Sequence, residues 1–562
     1  MTSTADGVAA ALADLGVEYV FGFPGGRVIE VFEALADTDV DVVRPGDERE
    51  ASVMAEAYGR LTRSPGVLAG QGPWIGSMGA FGQMEARLGS SPMVVLTEAS
   101  ERGEYSTLAP YQQARGDYGG VDVPQMLDAV TQEVWEPRTP AETLRTLGLA
   151  FKHATAGRPG PTAVVLDGDA VAEPVPGDPQ PPLWEAAAQA RTWDSRPTAR
   201  DVAAAADALA AADRPVILAG NGVHAAGAHD ELRAAADAYD AAVATSYLGK
   251  SAIPETHERA AGVVGSFGHE GANRVVSEAD VLLVVGCRLN PMDANWLAPG
   301  FVDPDEQTIL HADVDPRNAG WVYPADVGLV GDAAESLAAL ADAGGGDTDW
   351  ALDRAREARE DFHAPACDDD STPIKPQRAV QAVDDVVDED ALVTADSGNN
   401  RFWLLHYLQS PSAQGYVGSG GVGGMGWAAP AAVSAALATD RDVVAVAGDG
   451  GFGMSATAVE TAVEYGVAPT FVVLNDAGLG MVRQMDDAIP GTSFRDTDYV
   501  ALAEAYGADA ERIVDPADLE PALRDAKAAD APTVLDVRID PDVEMAPALR
   551  SSFYESVGGL HE

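Results

Sequence analysis

The chain has 562 residues, 46% of them hydrophobic, which predicts about two to four globular domains and excludes a single small one. Its formal net charge is −53, from 89 acidic and 36 basic residues. No basic patch is available to neutralise phosphates, so nucleic acid is excluded as a partner. Cys287 and Cys367 are the only cysteines, which excludes a disulfide framework and a cysteine-rich zinc site.

The acidic residues are spread along the whole chain and form only short runs, such as Asp368-Asp369-Asp370. This distribution favours a protein adapted to a salt-rich cytoplasm, where dissolved ions screen self-repulsion, over an acidic tail that binds basic partners. Residues 1–13 lack the basic and then apolar layout of a signal peptide, and no apolar run is long enough to span a bilayer. We therefore expect a cytoplasmic protein without a membrane partner.

Three stretches alternate short apolar runs with alanine-rich helical patterns, which predicts an α/β fold with three doubly wound parallel-sheet domains. The expected domains are 1–172, 197–340 and 375–544, separated by linkers at 173–196 and 341–374 and followed by a tail, 545–562. The predicted buried strands are 19–23, 94–96, 164–166, 216–218, 281–285, 443–446 and 471–474.

The sharpest local signal is Gly448-Asp449-Gly450-Gly451, directly after the sixth of these strands, and the seventh ends in Asn475-Asp476-Ala477-Gly478. Parallel strands end at a common edge of the sheet, where ligands bind, so both loops are expected there. Glycine N–H groups can approach an anion, and a helix expected to begin near Ser455 would add its positive end. Asp449 and Asp476, with a loop carbonyl, suit Mg²⁺ holding a diphosphate.

The run from Gly420 through Met425 to Gly426, followed by these two loops, resembles the thiamine-diphosphate signature of the acetohydroxyacid synthase and 2-oxoacid decarboxylase superfamily. The resemblance implies that Asp449, Asp476 and the carbonyl of Gly478 hold the metal. It also implies that the cofactor lies against the following residues of this region: Gly448, Gly450, Gly451, Met425 and Met481. Asp476 departs from the usual asparagine of the family, which adds a negative charge beside the diphosphate.

Met425 matches the bulky apolar residue that, in this family, lies under the cofactor and forces its bent conformation. A methionine in a glycine-rich loop would otherwise be interpreted as core filling. In the first domain, the loop from Gly22 through Gly25 to Gly26 matches the opening loop of the family's pyrimidine-binding domain. The resemblance therefore implies that Gly25 contacts the cofactor.

The segment that runs from Asp47 to Arg60 matches the part of the family that carries the catalytic glutamate, and the match assigns that role to Glu48. In the family this carboxylate bonds to the aminopyrimidine ring of the cofactor and helps the cofactor lose its C2 proton. Glu50 and Glu56 are the local rivals. Glu56 lies within a helical pattern and is interpreted as a structural or surface carboxylate.

The middle domain resembles the central domain of the family, where some members carry FAD. Gly220-Asn221-Gly222 follows a predicted strand there but is a weak match to a dinucleotide fingerprint, so FAD is considered a possible cofactor only. In this family the pyrimidine-binding and diphosphate-binding domains meet across a subunit interface. The resemblance therefore implies a homodimer or a homotetramer.

Several segments favour acetohydroxyacid synthase among the activities of the superfamily, and they imply a small 2-oxoacid as the substrate. Gln112, in Tyr111-Gln112-Gln113, matches a residue near the substrate and is a candidate catalytic residue. The segments that share this resemblance are 157–161, 374–378 and 480–484. Gln71 and Trp74 are further candidates for the substrate pocket.

Other positions depart from that enzyme, and they are Asp47, Val53, Glu98 and Met485, with an altered loop at 70–74. A carboxylate in place of a neutral or cationic group changes pKa values and the charge preference for a substrate. We therefore predict thiamine-dependent decarboxylation of a 2-oxoacid followed by joining to a second carbonyl compound, but not the ordinary branched-chain biosynthetic enzyme.

Three alternatives remain open on the sequence. The first is a non-ligating 2-oxoacid decarboxylase, but all nine histidines lie at or after His153, so the first-domain histidine pair of those enzymes is absent. His269 and His406 remain as proton carriers for that alternative. The second is an FAD-dependent oxidase. The third is a non-catalytic relative that binds the cofactor, and the retention of Glu48, Asp449 and Met425 argues against it.

Overall fold

The protein is described by a computed structural model over residues 3–99, 120–484 and 488–544. Three six-stranded sheets are formed within these ranges, and all neighbouring strands in them are parallel. α-Helices connect most of the successive strands, as is usual for parallel pairing. The predicted fold class, three parallel-sheet α/β domains, is confirmed.

The first sheet has the strand order β2-β1-β3-β4-β6-β5. Its strands are β1 (Tyr19–Gly22), β2 (Asp41–Val43), β3 (Gly66–Gly70), β4 (Met93–Ala99), β5 (Glu133–Trp135) and β6 (Pro161–Asp167). The helices of this part are α1 (Thr4–Asp14), α2 (Ile29–Leu35), α3 (Glu48–Thr62), α4 (Gly72–Ser77), α5 (Ala80–Gly89), α6 (Val123–Val130), α7 (Pro140–Thr155), α8 (Gly168–Ala172) and α9 (Ala186–Gln189).

The second sheet has the strand order β12-β11-β10-β7-β8-β9. Its strands are β7 (Pro215–Ala219), β8 (Ala242–Thr245), β9 (Ala260–Val263), β10 (Val281–Val285), β11 (Thr308–Asp313) and β12 (Val327–Val330). The helices are α10 (Ala199–Ala210), α11 (Asn221–Ala226), α12 (His229–Ala238), α13 (Glu270–Glu278), α14 (Ala333–Ala343) and α15 (Trp350–Ala358).

The third sheet has the strand order β14-β13-β15-β16-β18-β17. Its strands are β13 (Ala391–Ala395), β14 (Tyr416–Gly418), β15 (Asp442–Gly448), β16 (Thr470–Asn475), β17 (Asp509–Ile513) and β18 (Thr533–Arg538). The helices are α16 (Pro376–Asp384), α17 (Asn399–Tyr407), α18 (Ala428–Ala438), α19 (Asp449–Met454), α20 (Ala458–Tyr465), α21 (Gly480–Arg483), α22 (Tyr499–Tyr506) and α23 (Pro516–Lys527).

The apolar runs that predicted buried strands are explained by burial on both faces of a sheet. In β10, Leu283 packs in one hydrophobic cluster, whereas its neighbours Leu282 and Val284 pack in another on the opposite face. Both faces of a parallel sheet are covered by helices, so each residue of such a strand is apolar. This is why an uninterrupted run, rather than an alternating one, indicates the strand.

The chain forms two compact units. One contains Met1–Trp193, Gly421–Thr439 and Thr457–Tyr465, so α18 and α20 belong with the first sheet. The other contains Asp194–Gly420, Asp440–Ala456 and Gly466–Glu562. Among the described residues, no helix has the length and apolar character needed to cross a membrane. Cys287 and Cys367 are both buried free thiols.

Candidate active site

The strands β13, β15 and β16 are neighbours in the third sheet, and polar residues follow the carboxyl end of each. As the sequence predicted, Asp449 and Asp476 meet at this edge and interact through their carboxyl groups. Burial, followed by the charge of Asp476, raises the pKa of Asp449 to about 7. Two adjacent carboxylates that are hard to ionise together form a site that a cation would stabilise.

Arg483 provides a positive charge beside this pair. Its Nη2 atom lies 2.5 Å from Oδ2 of Asp476, and both side chains are largely buried. Burial raises the pKa of Asp476, and the nearby Arg483 opposes that rise. The carboxylate that replaces the family's asparagine is therefore accompanied by its own counter-ion in this chain.

The loop after β16 is held in shape by Asn475. Its Nδ2 atom donates to the buried carboxylate of Asp536 at 2.7 Å, and its Oδ1 atom accepts from the N–H of Ala477 at 3.1 Å. Gly478 then forms an isolated bridge with Ser493, in which the carbonyl of Ala477 and the N–H of Leu479 make the hydrogen bonds. The carbonyl of Gly478 takes no part in that bridge, which leaves it available as the predicted third ligand.

The helix that follows β15 begins at Asp449 and not near Ser455, so the expectation for its start was wrong. Asp449, Gly450 and Gly451 form its first turn, directly at the end of the strand. A Cβ atom at Gly451 would lie 2.6 Å from Oδ2 of Asp396, so any side chain there would displace this buried carboxylate. The hydroxyl of Tyr499 donates to the carbonyl of Asp449 at 2.8 Å and fixes this turn.

A third loop at the same edge was not recognised from the sequence. It follows β13, contains Asp396, and leads into Asn399 and Asn400, the first two residues of α17. The Oδ1 atoms of Asp449 and Asn399 are both buried, and neither has a hydrogen-bond partner within the described residues. Unpaired buried oxygens of this kind fit a ligand or a metal ion. The rule that predicted the other two loops, polar residues at the end of a parallel strand, would also have found this one.

The predicted residues of the first domain lie at the carboxyl edge of the first sheet. Glu48 is the first residue of α3, which follows β2, and its side chain is half-buried. Gly25 follows β1, Gln71 follows β3, and Glu98 lies near the end of β4. A Cβ atom at Gly25 would lie 3.6 Å from the side chain of Gln71, and one at Gly26 would lie 2.5 Å from Oε1 of Glu98. The parallel order β2-β1-β3-β4 therefore places the carboxyl ends of all four strands at one edge.

The two local rivals of Glu48 have other hydrogen-bond partners. Glu50 is buried and accepts from the hydroxyl of Thr457 at 2.5 Å and from the N–H of Gly46 at 3.1 Å. Burial raises the pKa of Glu50 to about 7. Glu56 is fully buried and is bonded to Arg60, Ser91 and Trp427. These contacts suit structural carboxylates, and Glu48 remains the candidate that is open to a ligand.

The remaining residues that were predicted to contact the cofactor or the substrate lie in different surroundings, and some lie outside the described residues. Met425 is half-buried, and Gly423 and Gly426 on either side of it have positive φ angles that bend the chain. Met481 lies in α21 and packs partly against the hydrophobic cluster of the third sheet. Gln112 and Met485 lie outside the described residues, and Trp74 is half-exposed on α4.

The loop that was considered for a flavin phosphate serves local packing. The N–H groups of Gly220 and Gly222 donate to the carbonyls of Val285 and Gly286 at 2.8 and 2.9 Å. A Cβ atom at Gly222 would lie 2.5 Å from the Cα atom of Gly286, so the glycines permit close contact between two loops. These two N–H groups are thus already engaged in backbone hydrogen bonds.

The two histidines kept as proton carriers are buried in a structural contact. His269 accepts the N–H of Val263 at its Nδ1 atom, and its Nε2 atom lies 3.1 Å from the carbonyl of His406. Burial places the pKa of His269 well below its ordinary value and lowers that of His406 to about 4. Both rings are therefore neutral at physiological pH and are poorly suited to proton transport.

Comparison with known families agrees with this arrangement. The thiamine pyrophosphate enzyme family is matched by its N-terminal TPP binding domain over residues 2–121, its central domain over 202–340 and its C-terminal TPP binding domain over 396–537. The chain therefore belongs to the thiamine pyrophosphate enzyme family, and it is a thiamine-diphosphate-dependent enzyme. The three matches follow the order of the three sheets.

Within this family, the chain is similar to acetolactate synthase large subunits. It is 32% identical to a probable acetolactate synthase large subunit of Methanocaldococcus jannaschii, with 96% of this chain and 92% of the relative aligned. It is 32% identical to the isozyme 3 large subunit of Escherichia coli, with 94% and 92% aligned. The large subunit of Parasynechococcus marenigrum is 31% identical, with 94% and 87% aligned.

Proposed function

We propose that the protein decarboxylates a small 2-oxoacid and joins the remaining acyl carbon to the carbonyl carbon of a second substrate, as an acetolactate synthase does. The observation that carries this proposal is the edge of the third sheet, where Asp449 and Asp476 meet beside unpaired buried oxygens. The end-to-end similarity to acetolactate synthase large subunits supports the choice of reaction.

Mg²⁺ is the metal that we propose for this edge. Asp449, Asp476 and the carbonyl of Gly478 would supply its oxygen ligands, and the unpaired Oδ1 atom of Asp449 fits that use. The glycines of the α19 turn and Asn399 would lie against the diphosphate of the cofactor. The ion would also offset the burial and the repulsion from Asp476 that together raise the pKa of Asp449.

Glu48 would hold a proton against the pyrimidine nitrogen N1′ of the cofactor. Bound thiamine diphosphate supplies the carbon nucleophile that attacks the 2-oxo carbon. Gln71 and the buried carboxylate of Glu98 lie at the same edge of the first sheet as Glu48, and they would contact the substrate. Glu98 would disfavour a second anionic group near it, which would narrow the range of acceptors.

The test is an assay of all products in one reaction. Purified protein in molar KCl, with thiamine diphosphate and Mg²⁺, would be given pyruvate and a panel of other 2-oxoacids, with CO₂, 2-hydroxy-3-oxo acids and free aldehydes followed together. A 2-hydroxy-3-oxo acid is the expected product. CO₂ with free aldehyde as the only products would contradict the joining step and identify a simple decarboxylase.

Two further outcomes decide between the remaining alternatives. A yellow protein with an absorbing flavin, and consumption of O₂ during turnover, would identify an oxidase. Cofactor binding without turnover of any 2-oxoacid would contradict the proposed reaction and favour a non-catalytic relative. The engaged N–H groups of Gly220 and Gly222 argue against the flavin outcome.

A further inference from the structure

The glycine-rich segment that carries Met425 is bound at its start by a buried carboxylate. Glu85, on α5, is fully buried and accepts three consecutive backbone N–H groups. The N–H of Gly421 donates to its Oε1 atom at 2.6 Å, and those of Val422 and Gly423 donate to its Oε2 atom at 2.8 and 3.3 Å. Successive N–H groups that converge on one anion hold a backbone in a defined curve.

The same segment is bound at its end by a second carboxylate. Trp427 is fully buried, and its Nε1 atom donates to Oε2 of Glu56 at 2.9 Å. The guanidinium of Arg60 joins the two anchors, since its Nη2 atom lies 2.6 Å from Glu56 and 3.2 Å from Glu85. It also lies over the Trp427 ring, 5.2 Å from the ring centre.

Met425 lies between the two anchors. Gly423 and Gly426 on either side of it have positive φ angles of 72° and 82°, which give the backbone its bends. A Cβ atom at Gly424 would lie 2.3 Å from the ring of Phe81 on α5, so the segment follows the helix closely. A segment with four glycines would be mobile without such anchors, because glycine loses the most conformational entropy on ordering.

We infer that Glu85, together with Arg60 and Glu56, is a positioning residue that fixes the Gly421–Trp427 segment and thereby the place of Met425 against the cofactor. The inference rests on the proposed function for its role toward thiamine diphosphate. The geometry of the anchors does not depend on that function. Burying a carboxylate carries a large desolvation penalty. Here the carboxylate accepts hydrogen bonds from N–H groups that would otherwise be unpaired.

The test uses Glu85→Gln in the full-length protein. Glutamine keeps the shape but turns one acceptor into a donor facing the segment and removes the charge beside Arg60. Hydrogen–deuterium exchange of the peptide 421–427, without cofactor, should be about tenfold faster or more in the variant. The concentration of thiamine diphosphate at half-saturation should rise about tenfold, with kcat lowered and the KM for the 2-oxoacid unchanged.

Glu255→Gln is the matched control. Glu255 is buried and paired with Lys250 in the second unit, and it accepts the N–H of Ser410 at 2.8 Å. The control should lower Tm by a similar amount and leave the exchange of the 421–427 peptide and the cofactor affinity unchanged. If both variants lower cofactor affinity equally, the effect comes from lost stability and the inference is wrong.

Trp427→Phe provides a milder variant should Glu85→Gln not fold. It keeps an aromatic ring under Arg60 but removes the hydrogen bond to Glu56 and part of the buried ring, so exchange of the same peptide should still become faster. Unchanged exchange in the folded variants would overturn the positioning role. Faster exchange with unchanged cofactor affinity would overturn the inference that these anchors position Met425 against the cofactor. A wild-type protein that binds no thiamine diphosphate would instead contradict the proposed function. The exchange result would still show whether Glu85 and Glu56 hold the 421–427 segment in place.

Discussion

Trp427 donates a hydrogen bond to Glu56 across 371 positions of the chain, and both residues are fully buried. Glu56 lies on α3, the helix that begins with Glu48. A single helix therefore carries the candidate catalytic carboxylate at its start and, two turns later, an anchor for the Met425 segment. Displacement of α3 would disturb both features at once.

The role of Glu48 can be separated from that of its neighbour on the same helix. Glu48→Gln removes the proton that would be shared with the cofactor, so kcat should fall by about 10²–10⁴-fold while cofactor binding is largely retained. Glu50→Gln is the control. Glu50 is already hydrogen-bonded to Thr457 and Gly46, so its substitution should leave most of the activity intact. Steady-state kinetics and a cofactor titration would measure both effects. Full activity in Glu48→Gln would remove this residue from the mechanism.

The raised pKa of Glu50 predicts that the stability of the folded protein depends on pH. Its pKa is raised to about 7 in the folded protein, chiefly by burial, against an ordinary value of 4.5. The folded state thus binds a proton that the unfolded state releases between pH 4.5 and 7, and stability falls as the pH rises through this window, by at most about 3 kcal/mol.

Glu50→Gln imitates the protonated side chain, since its oxygen can accept from Gly46 and its amide can donate to Thr457. The Tm of the variant minus that of the wild type should therefore be larger at pH 8 than at pH 5. Differential scanning fluorimetry at the two pH values measures this difference. An equal difference at both would show that Glu50 is ionised in the folded protein at pH 5.

Most of the fold, but only part of the site, was predictable from the sequence. Buried parallel strands are marked by uninterrupted apolar runs such as 281–285, and the strand ends at Asp449 and Asp476 follow from the same reasoning. The anchors of the Met425 segment were not predictable. Glu85 meets Gly421 across 336 positions, and no local pattern indicates which buried carboxylate faces which loop.

Because residue 476 is an aspartate, we expect the protein to bind a divalent metal more tightly than it would with asparagine at this position. Asp476→Asn keeps an oxygen ligand, removes one negative charge, and leaves Arg483 without the carboxylate that it pairs with at 2.5 Å. The Mg²⁺ concentration that half-saturates cofactor binding should rise on the order of tenfold. Isothermal titration of Mg²⁺ into protein with thiamine diphosphate would measure it. Asp518→Asn, an exposed charge on α23, should cause no such change, and an equal shift in both variants would indicate a general charge effect.

The net charge of −53 predicts strong stabilisation by salt. Repulsion among carboxylates opposes the compact state, and the Debye length falls from about 8 Å at 0.15 M to about 3 Å at 1 M salt. The Tm should therefore rise steeply with KCl up to about 1 M, where the Debye length becomes short. Glycine betaine at equal osmolality carries no net charge and should raise Tm less. Equal effects of the two solutes would show that exclusion from the surface, rather than screening, is responsible.

If the active site combines residues from two copies of the chain, two inactive variants should complement each other. Glu48→Gln and Asp449→Asn would each be inactive alone. In mixed dimers, one site would carry both substitutions and the other neither. Random reassembly of equal amounts should restore about a quarter of the wild-type activity, because half of the dimers are mixed and each has one intact site. The doubly substituted chain mixed with Glu48→Gln is the control and should stay inactive. Failure of the first mixture to regain activity, with subunit exchange verified by native mass spectrometry, would place Glu48 and Asp449 of one site on the same chain.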